Sequence, residues 1–461
     1  MDLTKITSVA VTAAMGLSLM AGCSGDLAPT QDTDETEVTT VTSQTSDSSE
    51  AGSSPEETFG SVMNVDADLA ADLDIQDLSS DKEREFRKGY LDFAFGLMNS
   101  CVEDEQQGVN VMVSPASVMF ALDLTGAGAK GQTLAEMCGL FGGAKDPSGQ
   151  ISYAAHLMKS MNESEFVKLH AANSVWVNKT IMPEGIRPEY VSFVHDSFDA
   201  ESESLIFDKT AQDKINGWVK EKTNGMIPQV IDELDPVMAM LLINAISFEG
   251  KWETQYSEGS VQEEQFTAYD GTSQTVQMLN GSAPLYLEND AATGFAKYYE
   301  GGRYAFVVML PKDKTSNARE MLSAFDGKAF EEYLANSDED RVVLTKMPEF
   351  SYDWNKSLVK QLKVLGMNTP FGSDADFSKI ADLAAGEYLS IGDVIHKTHI
   401  EVDRNGTKAA AVTAVSLYKN AVAVDPRVPV QVYCDRPFAY AIVDMEDAVP
   451  LFIGTVDQVS K

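Results

Sequence analysis

The sequence predicts a mixed α+β fold built as one large domain, and three observations carry that expectation. Segments with helical apolar spacing alternate irregularly with short runs rich in β-branched and aromatic residues. Neither a βαβ rhythm nor a repeat of fixed period runs through the chain, which argues against doubly wound sheets and solenoids. The 461 residues are 44% hydrophobic, enough for a sizeable core, and past the N-terminus no apolar run is long enough to span a membrane.

Taken in order, the first residues read as an export signal over 1–22, with a positive start at Lys5 and then the apolar run "ITSVAVTAAMGLSLMAGC" ending at Cys23. The terminal "LMAGC" resembles the lipobox of bacterial lipoproteins, which implies lipidation of Cys23 and attachment to a membrane only through that lipid; a plain secreted protein is the alternative. Residues 23–80 are rich in Ser, Thr, Asp and Glu and hold no Lys or Arg, so they bury too little apolar surface to offset ordering entropy and are expected to form a disordered tether. The folded body is expected over 81–461. It opens on "DKEREFRKGYLDFAFGLMNS", where Phe86, Tyr90, Phe93 and Leu97 fall at helical spacing. "AQDKINGWVKEKTNGMI" is a second helical pattern, and "HAANSVWVN", "MLLINAISF", "YAFVVMLP", "RVVLTKMPEF" and "FAYAIVDM" read as strands.

Asp plus Glu number 71 against 35 Lys plus Arg, a net charge of -36, so the average surface repels polyanions and nucleic acid is not an expected partner. Several motifs of familiar catalysis are absent: there is no GxSxG, HExxH or P-loop. Of the five histidines, His396 and His399 lie in "HKTHIEVD", three apart in a strand-like run, and so point to opposite faces rather than to one metal. No metal or cofactor is expected, and His396 reads as a hydrogen-bonded structural residue. With Cys23 spent on lipid, Cys101, Cys138 and Cys434 remain as buried or incidental thiols, a lone disulfide between two of them staying open.

Across 81–461 an ordered set of segments resembles the serpin family of serine-protease inhibitors. "NVMVSPASVMFALDLTGAGAKGQT" is similar to the family's second helix, "INGWVKEKTNGMI" to its Asn-x-Trp-Val segment, and "INAISFEGKW" to its Asn-Ala-Ile-x-Phe-x-Gly-x-Trp signature. "MLPKD", "HKTHIEVDRNGTKAAAVTA" and "DRPFAYAIVD…PLFIGTV" follow in the family's order as a strand end, a hinge and the C-terminal strands. The resemblance implies an α+β serpin fold of three β-sheets and eight or nine helices, with an exposed reactive-centre loop between hinge and C-terminal strands. It also implies a region controlling the opening of the central sheet, to which Ser114, Ser117, Asn244 and His396 correspond, with Trp252 at the top of that sheet.

The implied mechanism is suicide inhibition: the protease serine attacks the loop, and the cleaved loop inserts into the central sheet as an extra strand. A strand has period two, so Thr407, Ala409, Ala411 and Thr413 would share the inward face and Lys408 the other. The inward set is small, as insertion demands. Gly406 is expected to act as a permissive pivot. Where the family carries acidic residues, this chain has Arg404, Asn405 and Lys408. Counting about fourteen residues from the hinge glycine places the scissile bond at Lys419–Asn420, Asn420–Ala421 or Ala421–Val422, suiting trypsin-like or elastase/subtilisin-like serine proteases. A monomer is expected. A non-inhibitory serpin acting as a binding or structural protein is the competing reading.

Overall fold

The computed structural model describes residues 74–383, 386–407 and 428–459. Cys23, Lys408, Ala409, Ala411, Thr413, Lys419, Asn420 and Ala421 lie outside them.

Helix α1 (Ser80–Glu103) starts where the Ser79 hydroxyl accepts the N–H of Lys82, with Asp81 and Glu83 placed favourably for the helix dipole. Ile75 and Leu78, ahead of this helix, also pack on the core. Then follow β1 (Met112–Val113), α2 (Pro115–Gly126), α3 (Gly131–Gly139), α4 (Pro147–Asn162), β2 (Val167–Asn178), α5 (Pro188–Phe198), β3 (Glu201–Leu205), α6 (Lys209–Lys222) and β4 (Met240–Lys251). The middle of the chain is strand-rich: β5 (Val261–Thr267), β6 (Ser273–Ala283), β7 (Leu285–Glu288), β8 (Ala292–Tyr298) and β9 (Tyr304–Pro311). Two short helices, α7 (Ala318–Leu322) and α8 (Gly327–Ala335), lead to β10 (Arg341–Pro348), β11 (Phe350–Ser357) and α9 (Val359–Val364). The last elements are β12 (Asp393–Val402), β13 (Gly406–Thr407), β14 (Val428–Tyr433), β15 (Phe438–Asp444) and β16 (Val449–Val456).

These strands form three sheets, ordered β11-β12-β13-β4-β2-β3, β1-β16-β15-β9-β8-β7 and β14-β10-β6-β5. The first, central sheet is covered on both faces, which is why its strand β4 is a nearly unbroken apolar run rather than an alternating one. Leu242 and Ile246 join the main core, against which the fully buried α2 also packs, while Leu241, Ile243 and Ala245 meet Ile215 and Val219 of α6 in a second cluster. The run "RVVLTKMPEF" is two strands rather than one: β10 ends at Pro348 in the third sheet, and β11 starts at Phe350 in the central sheet. Cys101, Cys138 and Cys434 are buried free thiols, so none of them is in a disulfide.

The two ends of the described chain meet. Strand β1 pairs antiparallel with β16, Met112 opposite Gly454. The buried Arg319 guanidinium donates to the Asp457 carboxylate at 2.8 Å and to the carbonyls of Val102, Glu105, Gln106 and Val109 at 2.7–3.1 Å, tying the end of α1 to the end of β16.

Candidate functional site

The central sheet has a seam. Strands β4 and β12 pair directly and in parallel from Asp393↔Leu241 to His399↔Ser247. Above that point they part, and the two residues of β13 occupy the space: Gly406 pairs with Lys251 and Thr407 with Gly250 of β4, and Thr407 also with Val402 of β12. Chain entering the candidate loop therefore already lies between the strands that close beneath it.

The turn that delivers β13 follows from its sequence. In Asp403-Arg404-Asn405-Gly406 the Asp403 carboxylate accepts the N–H groups of Asn405 at 2.6 Å and Gly406 at 3.0 Å, an Asx turn set by side-chain chemistry. Gly406 does not adopt a left-handed conformation here. A Cβ there would fall 2.1 Å from the carbonyl oxygen of Gly250, so glycine is needed for close approach to β4. Thr407 is 1% exposed and shares a 2.6 Å hydrogen bond with the Tyr299 hydroxyl. Trp252 stacks on the Tyr299 ring, with centroids 4.7 Å apart, and its indole N–H donates to the Asp403 carbonyl at 2.9 Å. Its backbone N–H donates to Asn405, and that of Tyr256 to Arg404. The Arg404 guanidinium pairs with Glu258 at 2.9 Å, and its backbone N–H donates to the Glu349 carboxylate. Burial raises the Glu349 carboxyl above the usual range.

Ser114, Ser117, Asn244 and His396 meet under the closed part of the seam. Asn173, Asn244 and His396 stand side by side on β2, β4 and β12. The Ser114 N–H donates to His396 Nε2 at 3.0 Å, so the ring proton sits on Nδ1 and is donated to Asn244 Oδ1 at 2.6 Å. Asn244 in turn donates to Ser117 and, at 2.8 Å, to Asn173 Oδ1. Ser114 caps α2, accepting from the Ser117 N–H, and donates its own hydroxyl to Leu451 of β16 at 2.7 Å. Every link is buried, and burial pushes the His396 imidazole down to about 3, so the ring is neutral at pH 7. His399 points to the opposite face, where it meets Asp353 at 2.8 Å.

Sequence reasoning missed Asn173, Asp403, Tyr256 and Tyr299. Only Asp403 carried a local signal, the Asp-x-Asn-Gly turn chemistry; the others are single residues that the fold brings in from β2, from the segment after β4 and from the end of β8.

This arrangement, a central sheet with a chain segment started into its seam, belongs to one class of fold. The family model described as Serpin (serine protease inhibitor) matches residues 88–459, and the chain belongs to that family. It is 32% identical over 352 residues to an uncharacterised serpin-like protein of Thermococcus kodakarensis, covering 75% of this chain and 80% of that one. It is 30% identical over 389 residues to Iripin-5 of Ixodes ricinus, covering 81% of this chain and 95% of that one. Among solved structures, the thermophilic serpin tengpin in its native state is 33% identical with a TM-score of 0.75, covering 85% of this chain and 98% of that one. The same protein in its latent state gives a TM-score of 0.69.

Proposed function

We propose that this protein is an irreversible suicide-substrate inhibitor of extracellular serine proteases, acting by reactive-loop cleavage, acyl-enzyme trapping and insertion of the loop into the central sheet. One observation supports this above the rest: Gly406 and Thr407 already form a strand between β4 and β12, which pair directly below them. Continuing that strand requires only that the lower register pairs exchange partners. Small residues at Ala409, Ala411 and Thr413 fit such a path, and Arg404 and Glu258 leave the buried strip free of charge by pairing outside it. In this reading Ser114, Ser117, Asn244 and His396 hold the seam shut, Trp252 packs its top, and one of the bonds around Lys419, Asn420 and Ala421 is cut by a trypsin-like or elastase/subtilisin-like protease. Export, and lipid attachment through Cys23 at the outer face of a bacterial cell membrane, belong to the same proposal, as does a monomeric state.

Incubation of the full chain with such a protease is expected to give a covalent complex that survives denaturant, and loop cleavage to raise the melting temperature markedly. Clean cleavage with full recovery of protease and unchanged melting would overturn the proposal in favour of a non-inhibitory serpin. Thr407→Arg puts a charge where the threonine is buried against Tyr299, at a cost of several kcal/mol. That variant is expected to be cut as a plain substrate, which gel analysis of complex against cleaved product checks.

A further inference from the structure

Lys297 of β8 has an unusual place. It is 5% exposed, and its ammonium group donates to the Thr254 carbonyl at 2.8 Å. It lies 4.4 Å from the ring centre of Tyr256 and 5.7 Å from that of Trp252. None of the described carboxylates forms an ion pair with it. The charged group that acts on it is the exposed Glu253, and the other titratable groups around it are the phenols of Tyr256 and of Tyr299, the latter stacked on Trp252, both raised by burial and neutral. The segment it touches, Trp252 to Tyr256, makes the hydrogen bonds that hold the turn Asp403–Asn405. One stem of main chain thus separates this amine from the hinge.

We infer that Lys297 is a positioning residue for loop entry: a cation held beneath Trp252 and Tyr256 without an ion-pair partner among the described residues, which regains hydration when the Trp252–Tyr256 segment lifts and so primes the top of the seam to open. The ring faces and the Thr254 carbonyl hold the charge in place but replace only part of its water. Burial pushes the amine down to about 8 from the ordinary lysine value of 10.5. The sign follows from this depression. Proton binding favours the state in which the amine is wetter, so the closed arrangement is weakest below about pH 8 and gains as the pH rises from there towards 10.5. This inference rests on the proposed insertion mechanism for its consequence, though its physical basis is independent of it.

The test compares the full wild-type chain with Lys297→Met and Lys297→Arg. Melting of the uncleaved protein is followed from pH 6.5 to 9.5, and stable complex formation with one protease is timed at pH 7.4. Lys297→Met is expected to melt higher than wild type at pH 7, the difference shrinking as the pH passes 8, and to form complex roughly 3- to 10-fold more slowly. Lys297→Arg, which keeps its charge, is expected to form complex at the wild-type rate and to lack the alkaline rise in melting. A folded Lys297→Met that melts at or below wild type at pH 7, or a difference that ignores pH, overturns the inference. If no variant forms complex but the pH-dependent melting difference is present, the inhibitor reading fails and the strain at Lys297 stands. Equal complex formation by wild type and Lys297→Met leaves the inhibitor reading intact and refutes the priming role.

Discussion

His396 has a backbone N–H facing one ring nitrogen and a carbonyl oxygen facing the other, so a second proton has no acceptor to meet. Its folded value near 3 lies below the unfolded value of 6.5. Stability from this group is therefore complete above pH 6.5 and is lost progressively as pH falls towards 3. Asp123 of α2 runs the other way. Its carboxyl is fully buried, accepts one hydrogen bond from Gln150 at 2.8 Å and is pushed up to about 8. The stability it permits is complete below its unfolded value of 3.8 and drains away as pH rises towards 8. Asp123→Asn is expected to stabilise the protein at pH 8, by roughly 1–3 kcal/mol, and to lose that advantage below pH 4. Denaturant melts of both proteins across pH check this. His396→Gln is expected to lower stability at pH 7 and to flatten the acid limb.

Strand β13 is only two residues long, and its place depends on the absence of a single side chain. Gly406→Ala drives a methyl group into the backbone of Gly250 and Lys251, with an overpacking cost of roughly 1–3 kcal/mol. The expected outcome is ejection of Gly406 and Thr407 from the seam, read as faster amide exchange at Thr407 with the lower register pairs still protected. Much at this scale was legible in the sequence. The strands from "MLLINAISF" and "FAYAIVDM" and the helix through Phe86, Tyr90, Phe93 and Leu97 stand where apolar spacing put them, because burial decides those patterns locally. The division of "RVVLTKMPEF" was not legible, since both halves have strand propensity and only partners tens of positions away assign them to different sheets. The same holds within the site. The hinge and the Ser114–Asn244–His396 set came from motif resemblance, while Tyr299 reaches the hinge, and Lys297 the segment beside it, by tertiary packing and left no mark on neighbouring residues.

At the scale of the molecule, the net charge of -36 shapes encounter rather than fold. A cationic protease approaching this surface is steered towards it, and an anionic one is slowed. Association with a basic protease is expected to slow by roughly an order of magnitude between low and high salt, with the rate for an acidic protease flat or rising; stopped-flow rates at several ionic strengths check this.

The clamp of Arg319 on Asp457, and the pairing of β1 with β16, also set a schedule for biosynthesis. The early helices present apolar faces whose lasting cover comes from β15 and β16, so the nascent folded body stays incomplete until those strands have been made. Ser114 waits for the Leu451 carbonyl in the same way. Such a delay exposes the partly made protein to chaperones for as long as synthesis lasts.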